Sequence, residues 1–360
     1  SCHTGKQITA SGLQRKDFQT EVNGQHTDLF TLSNKQGMEV CITNYGARVV
    51  SILVPDRNGK REDVVCGFST ITEYMEQRQN FGSTVGRYIG RILNARFTLD
   101  GVEYKLVPNN GKSGHISHGG NPGFADRIWK VEQADTHRVR LSYLSPDGEN
   151  GFPGNLKVTL VYSLGEDDNA LDLTYEATTD APTVLNLSHH SFFNISGNFT
   201  KSVEDQQLWV DADRFTPYDD KKCVTGEYLQ VAGTPLDFRM PHAIGECIDA
   251  DHPQLKVVNG YDHTWELNTK GDDTRPAAWV YDPASGRKME IFTTEPGMQI
   301  YTGNGLKGKM TGKGGIAYPF RSAVCFETMH FQDSPNQPGF PSTVLRPGEV
   351  FRSHTVYKFE

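Results

Sequence analysis

The sequence predicts an all-β protein, a large antiparallel β-sandwich, from two alternating segments and a turn-rich composition. Residues 156–164 (LKVTLVYSL) and residues 171–177 (LDLTYEA) place apolar side chains at every second position, with the turn GEDDNA between them. Such alternation is typical of strands with one buried face, so the two segments predict an antiparallel hairpin. The chain also contains 36 glycines and 18 prolines, which favour many short strands joined by turns.

Further strands are expected along the whole chain. The segments that predict them are residues 38–45, 48–55, 139–143, 262–267, 288–294 and 322–328. Residues 96–106 predict a second hairpin, because Asp100-Gly101 is a favoured two-residue turn. Helical periodicity is limited to one short segment, ITEYMEQR at residues 71–78. Strands therefore do not alternate with helices as in a parallel sheet, and no repeat or linker divides the 360 residues, so we expect one domain.

Composition argues against several classes of protein. The net charge is −8 and there is no basic tract, so nucleic acid is not an expected partner. No apolar run approaches the roughly 18 residues of a membrane-spanning helix. The six cysteines form no C-x-x-C pair, which argues against a zinc cluster or a small disulfide scaffold. We expect most of them to be buried free thiols.

The first residues leave the location of the protein open. The chain begins Ser1-Cys2 and continues through a polar stretch before any strand pattern. A processed secretory or lipoprotein signal would produce this start, with a periplasmic protein or one anchored through a lipid on Cys2. An artificial truncation would produce it equally well.

Two glycine-rich segments combine polar groups in ways that strand formation does not require. In residues 80–97 (NFGSTVGRYIGRILNARF), Arg87 and Arg91 lie beside glycines, which would let a guanidinium approach an oxygen-rich ligand; a surface salt bridge is the alternative. In residues 115–129 (HISHGGNPGFADRIW), His115 and His118 lie three residues apart in a loop, not on the helix that a zinc-binding H-E-x-x-H motif needs. A ligand-holding histidine and a solvated one both remain open.

Two further places carry candidate proton-transfer groups. Residues 186–197 (NLSHHSFFNISG) contain His189 and His190, and on a strand these neighbours point to opposite faces, so at most one can serve a given site. Glu327 falls in the apolar run V-C-F-E-T-M, where a carboxylate needs partners and its pKa can be shifted. Exposure on an edge strand is the alternative for Glu327.

Together, these segments resemble the aldose 1-epimerase family, also called galactose mutarotases. The motifs that carry the resemblance are, in order, GRYIGRI, SHGG followed by GF and W, NLSHHSFFN, GYDH, PGMQIYTGN and FET with NQPGFPSTVLRPGE. The resemblance covers about residues 26–360 and leaves residues 1–25 as an N-terminal extension. It implies a large single-domain antiparallel β-sandwich of the galactose mutarotase type, and a cytoplasmic location.

The resemblance also implies roles for individual residues. His190 corresponds to the family's general acid and Glu327 to its catalytic base, with the reactive proton on the imidazole. The residues that it implies for sugar binding are Arg91, His118, Asp262 and Gln299. Three positions depart from the family pattern: Gly90 and His189 each stand where the family has Asn, and Ser117 stands where it has Leu.

The implied activity is the interconversion of the α and β anomers of free aldoses such as galactose and glucose. It requires no cofactor and no metal ion, although the acidic turns at residues 166–168 and 219–220 could hold a Ca²⁺ ion weakly. The expected partner is a monosaccharide, and the expected state is a monomer or a weak dimer. Phe192 is a candidate for stacking on the sugar.

Three alternatives to this activity remain open. They are a non-catalytic carbohydrate-binding domain, a sugar-phosphate epimerase, and a glycosidase, which would need a second carboxylate beside Glu327. Asp262 is the only candidate for that second carboxylate.

Overall fold

The computed structural model describes residues 6–360 and has the predicted class of fold, an antiparallel β-sandwich. Every pairing between its strands within the named sheets is antiparallel, and both large sheets are open. Among residues 6–360, no helix combines the length and the apolarity that crossing a membrane requires.

The larger sheet has nine strands. In spatial order they are Lys130–Ala134, Arg138–Ser145, Leu156–Leu164, Asn169–Thr179, Phe351–Phe359, Lys288–Thr293, Ala278–Tyr281, Gln207–Val210 and His242–Ala243. The predicted hairpin lies at its centre, where Leu160 pairs with Tyr175 and both side chains are buried. Each large apolar side chain buried in this way contributes about 1.5–3 kcal/mol, which is why the alternating pattern determines the face that packs inward.

The second sheet has six strands and packs against the inner face of the first. In spatial order they are Phe192–Phe193, Val324–Met329, Gly297–Tyr301, Asp262–Glu266, Arg214–Thr216 and Leu229–Gln230. Tyr357, from the larger sheet, donates a hydrogen bond to the Phe326 carbonyl oxygen (2.7 Å) and packs against the ring of Phe193. One face of the six-stranded sheet is therefore committed to the core, and the other is free to line a site.

The remaining strands form smaller sheets around this sandwich. A four-stranded sheet consists of Leu29–Ser33, Glu39–Thr43, Arg48–Pro55 and Arg61–Asp63. Five two-stranded pairs are Glu21–Val22 with Gln25–His26, Ser83–Val85 with Ser188–His190, Arg91–Ile92 with Ile116–Ser117, Arg96–Leu99 with Val102–Lys105, and Thr183–Val184 with Val344–Leu345.

Helices are short, as the sequence predicts. Within residues 6–360, the two α-helices are Ile71–Glu76 and Pro253–Val258. The 3₁₀ helices are Arg15–Phe18, Leu93–Ala95, Gly111–Ser113, Phe124–Asp126, Glu149–Gly151, Ile244–Glu246, Lys313–Gly315 and Ser334–Asn336. The first α-helix confirms the prediction for residues 71–78, and the Thr70 hydroxyl caps it by accepting a hydrogen bond from the Glu73 amide. The second α-helix was not predicted.

The hairpin predicted at residues 96–106 is also confirmed. Asp100 and Gly101 connect its strands, and both have positive φ, 53° and 77°. A two-residue turn of this kind requires positive φ at both positions, which glycine adopts freely and aspartate tolerates.

The described residues that precede residue 26 pack onto the body of the protein. Phe18 is fully buried with Leu29, and Arg15 forms a paired hydrogen bond with Asp28 (2.7 and 2.8 Å). Cys2, the candidate for lipid attachment, lies outside the described residues.

Candidate active site

A polar pocket of about 400 Å³ opens above the free face of the six-stranded sheet. Two cross-strand rows of side chains share the sheet face on which this pocket opens, because residues in register on neighbouring strands point to the same side. The first row is Thr264, Gln299 and Glu327. The second row, two residues along each strand, is Asp262, Tyr301, Cys325 and Phe192, of which Cys325 is fully buried beneath the lining of the pocket. The sheet thereby brings together residues from four separate segments of the sequence.

His190 and Glu327 meet in this pocket. His190 ends a strand that lies beside the strand of Glu327, and the Ser188 hydroxyl ties the two by donating a hydrogen bond to the Thr328 carbonyl oxygen (2.7 Å). His190 Nε2 is 3.3 Å from Glu327 Oε1, and the side chains are only 7% and 4% exposed. Such a pair can exchange protons with a molecule bound above it.

Burial acts on both members of the pair against the charged form. It lowers the pKa of His190 well below the usual value, and the nearby His118 lowers it further. Burial also raises the pKa of Glu327 well above the usual value, and the nearby Asp262 carboxylate raises it further. In the free pocket these shifts favour the neutral pair, in which Glu327 is protonated and His190 is uncharged. The resemblance implies the ion pair instead, in which the same proton lies on the imidazole. The two arrangements differ by the position of one proton between atoms 3.3 Å apart.

His189 points away from the pocket, as the strand geometry predicts. It is buried between the rings of Tyr162 and Tyr357, at centroid distances of 6.1 and 6.0 Å, and its Nε2 contacts the Ser191 hydroxyl. Burial lowers its pKa to about 3, so it is a neutral core residue. The double histidine thus consists of one pocket residue and one core residue.

His118 lines the pocket as a neutral hydrogen-bond donor. Its Nδ1 accepts a hydrogen bond from the Gly90 amide (3.1 Å), and its own amide donates to the Gly90 carbonyl oxygen (3.0 Å). Burial, together with the nearby Arg91, lowers its pKa to about 4. Because Nδ1 accepts, the neutral ring carries its hydrogen on Nε2. Its ring meets that of His190 edge-on at 5.4 Å.

Arg91 lies on the wall of the pocket. Its Nη1 donates to the Lys222 carbonyl oxygen (2.8 Å), and Lys222 also lines the pocket. This anchor fixes the guanidinium while its other donors remain available to a ligand.

On the side of the pocket opposite Arg91, hydrogen bonds link the side chains of Gln299, Asp262, Tyr218 and Thr264. Gln299 Nε2 donates to Asp262 Oδ1 (2.8 Å) and to the Tyr218 hydroxyl (3.2 Å), while Gln299 Oε1 accepts from the Thr264 hydroxyl. Burial raises the pKa of Asp262 to about 6, although the Gln299 hydrogen bond acts in the opposite direction. Gln299 is therefore held in one orientation, with Asp262 beside it as an acceptor for hydroxyl groups.

Gln332 is a pocket residue that the sequence did not reveal. Its Oε1 accepts from the Arg91 amide (3.2 Å), and its Nε2 donates to the Tyr218 hydroxyl (2.9 Å). It occupies space that Gly90 leaves empty, since a Cβ on Gly90 would lie 2.6 Å from Gln332 Cγ. A carboxamide therefore reaches this point of the pocket from a different segment, although the family's Asn is absent at position 90.

Two candidates from the glycine-rich segments lie outside the pocket. Arg87 is fully buried and donates to the carbonyl oxygens of residues 145, 146, 153 and 154 and to the Ser145 hydroxyl, so its role is structural. His115 accepts from the Asn94 amide (2.8 Å), and its Nε2 lies 3.4 Å from the Cys223 sulfur. Neither supports the ligand-binding alternative.

Phe192 does line the pocket, stacked on the imidazole of His190.

Three potential metal ligands lie close together at the base of the pocket. Among residues 6–360, His190, Cys325 and Glu327 are the one group of three His, Cys, Asp or Glu side chains close enough to share an ion. The acidic turns have other partners: Asp219 accepts from the amides of residues 221 and 223, and Glu166 pairs with His137. Weak Ca²⁺ binding at these turns stays a prediction.

Several known proteins are similar in sequence to this chain over most of its length. The model of the aldose 1-epimerase family matches residues 28–358. The galactose mutarotase of Bos taurus is 40% identical over 331 residues, covering 92% of this chain and 93% of that protein. The aldose 1-epimerase of Escherichia coli is 36% identical over 339 residues, covering 94% of this chain and 96% of that protein.

Solved structures agree with these sequence matches. An aldose epimerase homologue from C. elegans is 30% identical with a TM-score of 0.83, covering 93% of this chain and 99% of that one. A galactose 1-epimerase from Lactobacillus acidophilus is 28% identical with a TM-score of 0.82, covering 95% of this chain and 96% of that one. With its sandwich fold and its histidine–glutamate pocket, this chain belongs to the aldose 1-epimerase family and is an isomerase.

Proposed function

We propose that the chain interconverts the α and β anomers of free aldoses such as galactose and glucose, with His190 and Glu327 as the catalytic residues. The observation that carries this proposal is the 3.3 Å separation of His190 Nε2 and Glu327 Oε1 in a sheltered polar pocket. In a cyclic aldose, the O1 hydroxyl and the ring oxygen are both bonded to C1. Two groups this close can therefore each reach one of the two oxygens over a single anomeric carbon.

The reaction needs one proton acceptor and one proton donor. Glu327 takes the proton from the O1 hydroxyl while His190 gives a proton to the ring oxygen, so the C1–O bond of the ring breaks and an open aldehyde forms. Rotation about C1–C2 presents the other face of the carbonyl, the ring closes, and both protons return. Each positioned proton transfer contributes about 10²–10⁴-fold to the rate. The cycle restores the enzyme without a cofactor.

Sugar binding selects the reactive arrangement of the proton. A hydroxyl that donates to the Glu327 carboxylate favours its charged form, and a ring oxygen that accepts from the His190 imidazolium favours that ion. These bonds oppose the burial that otherwise favours the neutral pair. His118, with hydrogen on Nε2, supplies a further donor beside the ring oxygen.

Arg91, Asp262 and Gln299 are the proposed holders of the remaining hydroxyls. Arg91 supplies donors, Asp262 supplies an acceptor, and the Gln299 amide is oriented by its neighbours. A pocket built from such buried groups rejects a sugar that lacks a matching hydroxyl, because a polar atom is then left unpaired.

Polarimetry on freshly dissolved α-D-galactose and α-D-glucose tests this function. We expect the purified protein to accelerate the approach to anomeric equilibrium in proportion to its concentration. An unchanged spontaneous rate would contradict an epimerase and favour a carbohydrate-binding domain. Release of the aglycone from a chromogenic galactoside would favour a glycosidase instead.

A sugar-phosphate epimerase is the second candidate, because Arg91, Lys222 and Arg78 all line the pocket. Arg78 is already paired with Asp126 (2.7 Å), which reduces the positive charge available to a phosphate. Competition between glucose 6-phosphate and galactose separates the two functions. We expect little inhibition by the phosphate; tight competitive inhibition would favour the second candidate.

The pH dependence of turnover should reflect the shared proton of the pair. Because the pKa of His190 is low, the pair takes up a second proton only at acidic pH. Because the pKa of Glu327 is high, the pair loses its single proton only at alkaline pH. We therefore expect kcat/KM, corrected for the spontaneous reaction, to be flat from about pH 7 to 8. Below that range it should fall, because Asp262, whose pKa is about 6, takes up a proton and loses its charge as an acceptor for sugar hydroxyls. An alkaline decline centred near the ordinary histidine pKa of about 6.5 would contradict this reading.

Gln332 should contribute to sugar binding. We expect Gln332→Ala to raise KM about 3–10-fold with kcat little changed, because a net hydrogen bond is worth about 0.5–1.5 kcal/mol. Steady-state polarimetry with galactose measures both constants.

A double-mutant cycle supplies the control for Gln332. Gly90→Asn alone should impair binding, because its side chain meets Gln332, although asparagine tolerates the φ of +77°. Gly90→Asn combined with Gln332→Ala should recover part of the loss. Additive losses would indicate that the two positions do not share one space.

A further inference from the structure

Cys325 lies fully buried directly beneath the lining of the pocket, and the proposed reaction does not use it. It is a free buried thiol in the same strand as Glu327, two residues before it, so the two side chains lie on one face of the sheet. His190 approaches from the neighbouring strand. One ligand atom from each of the three side chains lies within 4.8 Å of the others.

We propose that the pocket binds one Zn²⁺ or Cd²⁺ ion through Cys325, His190 and Glu327, and that this ion inhibits the enzyme in competition with the sugar. Thiolate, imidazole and carboxylate are the ligands that Zn²⁺ takes, whereas Mg²⁺ and Ca²⁺ prefer six or more oxygens. Three protein ligands leave a fourth position toward the open pocket, for water.

To bind one ion, the three ligand atoms must come closer together than they are in the free pocket. Zn–S bonds of about 2.3 Å and Zn–N bonds of about 2.0 Å place tetrahedral ligand atoms about 3.3–3.6 Å apart. The His190–Glu327 separation of 3.3 Å already meets this requirement, so the Cys325 sulfur is the atom that must approach.

Charge and protons also balance. Thiolate and carboxylate together neutralise a divalent cation, which lowers the cost of burying it. Binding releases the thiol proton and the single proton of the His190–Glu327 pair. Burial raises the pKa of Cys325 well above the usual value, so the ion should bind more tightly as the pH rises.

The bound ion would occupy both proton-transfer groups. The inhibition therefore rests on the proposed catalytic roles of His190 and Glu327, whereas the binding of the ion does not. The normal reaction still needs no metal.

The test compares wild-type protein with two serine variants in a buffer free of chelators and thiols. Polarimetry with added ZnCl₂ should show inhibition that galactose relieves and EDTA reverses. Cys325→Ser should keep turnover and raise the Zn²⁺ concentration for half-inhibition on the order of 100-fold. Cys223→Ser is the matched control: this thiol lies beside His115, outside the pocket, and its loss should leave the inhibition unchanged.

A second measurement does not depend on turnover. Titration of the wild-type protein with CdCl₂ should produce ultraviolet charge-transfer absorption of a cadmium–thiolate bond that saturates at one ion per chain. The signal should be absent in Cys325→Ser, or in Cys325→Ala if the serine variant does not fold, and retained in Cys223→Ser.

The two measurements separate the possible failures. Absence of this signal, or inhibition that persists in Cys325→Ser, would overturn the metal site and leave the proposed reaction intact. A signal that depends on Cys325 without any loss of turnover would overturn the inhibition and contradict the catalytic roles of His190 and Glu327.

Discussion

Replacement of Glu327 by glutamine should lower kcat for galactose mutarotation by about 10²–10⁴-fold while changing KM little. Glutamine keeps the shape of the side chain and its place beside Gln299 in the sheet, but it cannot take the O1 proton. The loss should therefore appear in the chemical step and not in sugar binding. Polarimetry over a range of galactose concentrations measures kcat and KM together.

Glu266→Gln is a matched control for this substitution. Glu266 belongs to the same six-stranded sheet but pairs with Arg214 at the surface (2.7 Å), outside the pocket. We expect it to retain wild-type turnover. Wild-type turnover in Glu327→Gln itself would remove Glu327 from the reaction.

His190→Ala should cause a loss of similar size, because the ring oxygen then loses its general acid, and the neutral His118 supplies only a hydrogen bond there. The substitution also leaves a space the size of an imidazole ring beside His118 and Phe192, whose rings lie 5.4 and 5.0 Å from that of His190. Imidazole added to the solution should fill this space and restore part of the rate, with a dependence on its concentration that saturates.

His189→Asn separates catalysis from stability at the double histidine. It introduces the residue of the family pattern at a side chain that packs in the core, so we expect near-normal kcat with at most a change in melting temperature. If His189→Asn lost activity as severely as His190→Ala while remaining folded, the division of roles between the two histidines would be wrong.

Local patterns predicted the strands but not their order in the sheets. The alternation in residues 156–164 and 171–177 gave the buried face of both strands, because a one-residue shift would expose every apolar side chain. The first strand has the predicted bounds, whereas the second extends two residues further at each end, to Asn169–Thr179. The pairing of residues 171–177 with the C-terminal strand Phe351–Phe359 has no local signal, since it depends on contacts between distant segments. The helix Pro253–Val258 begins at proline and ends before Asn259-Gly260, residues that are typical of helix boundaries. It was not predicted, because six residues are too few to show a helical periodicity of apolar side chains.

Family motifs pointed to side chains that share one pocket, whereas the other residues of its lining had no such signal. The motif residues Arg91, His118, His190, Asp262, Gln299 and Glu327 all line one pocket. Gln332 and Tyr218 were missed, because a glutamine or tyrosine in a loop has no local pattern that points inward. The role expected of Gln332 rests on its hydrogen bonds to the Arg91 amide and the Tyr218 hydroxyl and on the space above Gly90.

The most direct test is a crystal structure of the Glu327→Gln variant with D-galactose bound. We expect C1 of the sugar to lie above residues 190 and 327, with O1 about 3 Å from one side chain and the ring oxygen about 3 Å from the other. A sugar bound in the pocket with its anomeric carbon turned away from both residues would contradict the proposed reaction.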